Sequence, residues 1–130
     1  MATITLTSIH NKVMDFVQEV TGITNATTPE SLTIPTGEKI VQVIITNNSA
    51  VDVYMKLWDQ GSPPSASGSN WNAEPIMILP AAANETADYT FLGEDLYEFA
   101  NGWQFNVSEA KGIVIGSSTT LSVDVLIFVT

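Results

Sequence analysis

The segment Val51-Asp52-Val53-Tyr54-Met55-Lys56-Leu57-Trp58-Asp59 constrains this chain more than any other. Val51, Val53, Met55 and Leu57 alternate strictly with Asp52, Tyr54, Lys56 and Trp58. A period of two sends one set of side chains into a core and the other outward, so the segment is expected to be a β-strand. Its outward set carries two large aromatic rings beside two charges. Such a surface is costly in water unless something covers it, so it is the first place to look for function.

The rest of the chain repeats the pattern. Thr3 to Thr7 alternates threonine with Ile4 and Leu6. Ser31-Leu32-Thr33-Ile34 reads as a short strand stopped by Pro35-Thr36-Gly37. Lys39 to Thr46 is nearly all apolar, as in a strand buried on both faces or covered by a neighbour. Asn47-Asn48-Ser49 supplies the turn into the strand described above. Pro75 to Pro80 is bracketed by prolines and suits a sheet edge. Further strands are expected at Asp88–Leu92, at Trp103–Ser108 after Asn101-Gly102, at 113–115 between Gly112 and Gly116, and at 119–130. The last places Leu121, Val123, Val125, Ile127 and Val129 on one face, and its greasy end belongs centrally in a sheet or against another subunit.

Two segments resist the pattern. Lys12 to Val20 fits helical spacing through Val13, Phe16, Val17 and Val20, with Asn11 as a cap, yet its valines suit a strand. Gln60 to Ala73 is a long irregular stretch with Pro63-Pro64 and several small residues. Loops of that length are usually functional or disordered, and Trp71 argues against disorder.

About eight or nine short strands with turn signals at intervals of about 8–12 residues, and at most one short helix, predict an all-β fold. The expected architecture is a two-sheet antiparallel β-sandwich, jelly-roll or immunoglobulin-like, formed as one domain over residues 1–130. A chain of this size buries roughly two-thirds of its unfolded surface and needs no covalent staple. It has no cysteine, which excludes disulfides and thiolate metal sites.

Charge narrows the function classes. Fourteen acidic residues against four lysines and no arginine give a formal net charge of −10. Neutralising phosphates requires cationic side chains, so nucleic acid is not an expected partner, and an anionic membrane surface is disfavoured likewise. The amino terminus lacks the basic and apolar segments of a secretory signal, and no apolar run approaches a membrane span.

Catalysis needs reactive groups gathered in a pocket, and the sequence offers little. His10 is the one histidine and has no triad or metal-binding company. Glu94, Asp95 and Glu98 form the best acidic cluster, but the spacing of a calcium loop is missing, and acids at the start of a helical turn are explained by its dipole. No enzyme activity, cofactor or metal is expected. Four Asn-x-Ser/Thr triplets, at Asn25, Asn47, Asn84 and Asn106, follow from the abundance of those residues. The aromatics remain. Tyr54, Lys56 and Trp58 share a strand face and Trp71 follows in the long loop. Trp71 can fold back to cover Trp58, the group can form a subunit interface, or the rings can make a ligand platform.

The stretch Ile45 to Asp59, with its Asn-rich turn leading to Tyr54-Met55-Lys56-Leu57-Trp58, resembles the small β-rich virion proteins of tailed bacteriophages. So do the Pro-containing loop, Glu74-Pro75-Ile76-Met77-Ile78-Leu79-Pro80-Ala81 and the Gly102-Trp103-Gln104-Phe105-Asn106-Val107 strand after it. The resemblance covers residues 45–108, and the chain departs from it in a longer Ser/Gly loop at 61–70 and an acidic insertion at 93–98. It implies a non-enzymatic head decoration or cement protein, assembled in the host cytoplasm into the virion. Its implied partners are the major capsid protein or another virion protein, and further copies of itself in a symmetric oligomer such as a trimer. The interface would include Tyr54, Lys56, Trp58 and Trp71. The alternative is a carbohydrate-binding or adhesive module of a phage fibre or tail.

Overall fold

The computed structural model describes residues 3–8, 16–23, 30–32, 39–117 and 120–129. Its strands, in chain order, are β1 (Thr3–Ser8), β2 (Phe16–Ile23), β3 (Glu30–Leu32), β4 (Lys39–Asn47), β5 (Val53–Asp59), β6 (Ala66–Ser67), β7 (Asn70–Trp71), β8 (Met77–Ala81), β9 (Thr86–Thr90), β10 (Tyr97–Glu98), β11 (Trp103–Ser108) and β12 (Val123–Val129). The one helical element among the described residues is a 3-10 turn at Gly93–Asp95.

The larger sheet runs β1-β2-β12-β4, and β9 and β10 pair in turn along the other edge of β4. The smaller sheet runs β3-β11-β5-β8. The pairings are nested. β2 pairs with β12, β3 with β11, β4 with β9 and β5 with β8, all antiparallel. The chain is therefore one long hairpin folded over on itself, with the β6–β7 ribbon as its tip. An eight-stranded hairpin wrapped into two facing sheets is a jelly roll, which decides between the two sandwich types expected from the sequence.

The core lies between the sheets. β4 gives Ile40, Val43 and Ile45, β5 gives Val53, Met55 and Leu57, β11 gives Trp103, Phe105 and Val107, and β12 gives Val123, Val125, Ile127 and Val129. Each follows the period-two pattern, and burying such a side chain contributes roughly 1.5–3 kcal/mol. β4 changes phase at Val41, where the register with β12 slips between Phe128 and Val129. That bulge lets Ile40 and Val43, of opposite parity, both face inward. The apolar run in β4 is thus one-sided, with Ile44 only half-buried on the other face.

Two polar side chains hold the ends of β5. Asn47, fully buried, donates from Nδ2 to the carbonyls of Val51 (2.9 Å), Ala81 (3.2 Å) and Ala82 (3.2 Å) and accepts the Ser49 amide at Oδ1 (2.9 Å). At the other end, Asp59 Oδ1 accepts the amides of Asn101 (2.8 Å) and Gly102 (3.2 Å), and Oδ2 accepts the Ala100 amide and the Tyr97 hydroxyl (both 3.0 Å). Burial alone would raise the Asp59 carboxyl, but these four donors hold it below the ordinary aspartate value. Phe99 stacks on Trp103 beside this turn, with centroids 3.8 Å apart.

Several expectations need correction. The segment Lys12–Val20 is no helix where it is described: Phe16 onward is β2, because an inner strand paired on both edges favours its valines. Residues 12–15, like His10, lie outside the described residues. The strand expected at 113–115 reduces to an isolated bridge between Val114 and Asn70. Val51 precedes β5 and is exposed. β12 does lie centrally, between β2 and β4, and β8 is an edge strand, where Pro80 needs no ladder donor.

Gly102 leads into β11 with φ 154°, and a Cβ there would sit 2.9 Å from the Gln60 carbonyl oxygen. Gly61, across the same turn, has ordinary room at 3.8 Å from Asn101 O. Gly102→Ala should destabilise the protein by about 1–3 kcal/mol in urea unfolding, and Gly61→Ala by less than about 1 kcal/mol. Equal effects would contradict the close approach.

Candidate functional site: the covered face of the smaller sheet

The outward side chains of β5 and β11 pair across the strands as Tyr54 with Ser108, Lys56 with Asn106 and Trp58 with Gln104. On an open sheet these would face solvent. Here Lys56 is 0% exposed and Trp58 1%, and Gln104, Asn106 and Ser108 are buried too. The cover is the hairpin tip. After Pro63-Pro64 the chain turns through Gly68, whose φ of 65° suits the first position of a two-residue hairpin loop. The returning strand β7 then binds the segment after β11, with the Trp71 amide donating to Ile113 O (2.7 Å) and the Ile115 amide to Ser69 O (2.9 Å).

Trp71, 5% exposed, meets Trp58 edge to face, with centroids 5.7 Å apart and planes at 72°. The Trp58 indole N–H donates to Ala73 O at 3.0 Å. Of the three readings of the aromatic group, the internal cover is the one this geometry builds. The expectation that Lys56 and Trp58 look toward solvent or a partner is corrected: the chain's own loop occupies that side. Tyr54 stays half-buried at the margin, with Lys111 Nζ 5.9 Å from its ring centroid. Strand periodicity gives the direction of a side chain and says nothing of what lies above it.

Beneath the cover, Lys56 Nζ donates to Ser108 Oγ (2.7 Å) and to the Ala110 carbonyl. Burial drives its pKa down from 10.5 to about 8, against the pull of the Glu109 carboxylate. Burial pushes Glu109 upward in turn, but the Ser117 hydroxyl and amide (2.7 Å) donate to it and, with the lysine charge, hold it low. A partly neutral lysine against a serine hydroxyl is the raw material of a nucleophilic pair. Neither atom can meet a substrate, since Lys56 and Ser108 are both 0% exposed. The pair ties β5 to the chain after β11.

Glu94 and Glu98 are exposed, and no group of three metal-capable side chains occurs among the described residues. Asp59, Asn106, Ser108 and Glu109 were not singled out in the sequence. The signal for Asn106 and Ser108 lies in the alternation of Trp103–Ser108, but only the β5–β11 register brings them to Lys56.

No protein-family model matches the chain, and neither does any curated protein. Among solved structures it is similar to the coat protein of Tobacco streak virus, at 14% identity over 83% of each chain with a TM-score of 0.32. A likeness this slight carries no argument about function.

Two predictions concern this face. Trp71→Ala should open the cover, red-shift tryptophan emission as Trp58 meets water, and cost about 3–5 kcal/mol of stability. Unchanged emission would mean that Trp71 does not shield Trp58. For Lys56, the unfolded chain holds the extra proton between pH 8 and 10.5. Folding therefore becomes more favourable as pH rises through that window, and the burial penalty is present in full below it. Lys56→Met should be at least as stable as the parent at pH 7, and its relative advantage should shrink between pH 8 and 10.5. A difference that ignores pH would remove the buried ammonium from the account.

Proposed function

We propose that this chain is a non-enzymatic structural protein of a virus particle, a decoration or cement protein that binds the outside of a tailed-phage head as a symmetric oligomer. The observation that carries the reading is where the chain uses its reactive side chains. Lys56, Ser108, Glu109 and Asp59 are all engaged in holding strands and turns together. The 230 Å³ groove on the opposite sheet is lined by Ile44, Thr46, Asp124, Val125 and Leu126, without the nucleophile and base that hydrolysis requires. A jelly roll organised this way suits binding by surface shape, and viral capsid domains are among the proteins built on it. That last step is analogy at the level of fold.

The phage assignment rests on the sequence resemblance over residues 45–108. The acidic balance fits a protein that must stay dispersed at high copy number before it is placed on a shell. Contact with the shell or with another copy would run through the layer above β5: Tyr54, Lys111 and the exposed residues of the 60–74 ribbon, with Lys56, Trp58 and Trp71 anchoring that layer from below. The glycan-binding alternative draws on exposed rings, and Trp58 and Trp71 are covered, so no observation favours it.

Immunogold electron microscopy of purified particles, with antibody against this chain, should label the outside of the head at regular positions. Particles that lack the chain would end the virion reading, and label confined to the neck or tail would end the decoration role. Light scattering of the free protein should give an oligomer. A monomer at high concentration would remove the self-association.

A further inference from the structure

The two sheets treat their outer faces differently. The smaller sheet has a polar outer face and covers it with the Trp71 ribbon. The larger sheet has an apolar centre on its outer face, and no described segment lies across it. On that face Leu126 of β12 pairs with Ile44 of β4, Phe128 with Gln42 and Asp124 with Thr46. β9 continues the rows, with Asp88 beside Ile44 and Thr86 beside Thr46. Ile44, Leu126 and Phe128 are half-buried, and the groove of about 230 Å³ runs between Ile44, Thr46, Asp124, Val125 and Leu126.

Charge selects the occupant. Asp88 and Asp124 are exposed beside this apolar strip, and Asp88 also accepts a hydrogen bond from Gln42 at 2.8 Å. None of the three described lysines belongs to the face. Lys56 is buried under the other sheet, Lys111 stands over Tyr54, and Lys39 pairs with Glu98 at the start of β4. A second copy laid on this face would set acid against acid in a chain of net charge −10. We infer that the outer face of the larger sheet, centred on Ile44, Leu126 and Phe128, docks a segment of another protein that combines apolar side chains with lysine or arginine. The aliphatic side chains fill the groove, and the cations meet Asp88 and Asp124. The inference is independent of the virion reading, which places contacts on the opposite sheet.

The full chain is titrated with a synthetic peptide of alternating leucine and lysine, and with its leucine–glutamate counterpart, and amide shifts are followed by NMR. The lysine peptide should bind, with shifts concentrated at Ile44, Asp124 and Leu126, and the glutamate peptide should not. Leu126→Thr, which keeps a β-branched residue on a half-exposed strand, should weaken binding by about tenfold, as should Asp88→Asn with Asp124→Asn. The control Glu74→Gln with Glu94→Gln removes the same charge elsewhere and should change affinity by less than about twofold. Shifts centred on another surface, or equal weakening by the control pair, would reduce the effect to general attraction and overturn the inference. So would a self-associated parent that Leu126→Thr turns into monomer, since the occupant would then be a second copy.

Discussion

Closure of one antiparallel hairpin onto itself is the constraint on which everything else rests. Pairing β2 with β12, β3 with β11, β4 with β9 and β5 with β8 brings residues distant in sequence together along the whole length of the chain. The strands contribute backbone hydrogen bonds only once the two halves meet, so the sandwich cannot be assembled from local pieces. Asn47 and Asp59 matter for this reason. They stand at the two ends of β5 and bind chain that arrives about 35–40 residues later, where a side-chain acceptor or donor fixes the turn that feeds the next strand.

The hairpin also explains the covered face. Its tip extends beyond β5 and β8, and a free ribbon of two-residue strands is not stable alone. It becomes ordered by folding back onto the smaller sheet, where Trp71 finds Trp58 and the segment at 113–115 supplies backbone partners. Lys56 is caught underneath. Its stem packs while its ammonium reaches Ser108 and the Ala110 carbonyl, so the penalty of enclosing a charge is partly offset by hydrogen bonds.

Much of this was legible in the residues because strand periodicity is a local signal. The inward sets Val53, Met55, Leu57 and Val123, Val125, Ile127, Val129 were readable directly, as were the turn at Asn47-Asn48-Ser49 and the proline-marked edge at β8. The outward set was read for direction correctly and for exposure wrongly at Lys56 and Trp58. What covers them arrives from residues 69–73 and 110–115, and no periodicity within β5 encodes that contact. β2 was ambiguous because Phe16, Val17 and Val20 satisfy both repeats, and tertiary pairing on both edges decided it. The Asp59 cluster was invisible for the same reason as Lys56–Ser108, since each joins elements whose pairing is set by the whole fold.

The distribution of charge then separates two kinds of contact. Repulsion between copies of net charge −10 acts over the whole molecule, and salt screens it beyond about 8 Å at physiological ionic strength. Contact between copies therefore has to occur where apolar or aromatic surface is dense and acids are sparse. The margin of the ribbon, with Tyr54, Lys111, Ile76 and Val114, meets that condition better than the larger sheet, where Asp88 and Asp124 adjoin the apolar strip. One sandwich can thus offer a surface tolerant of its own kind on one side and a surface selective for a cationic partner on the other. That division follows from which outer face the hairpin tip happens to close.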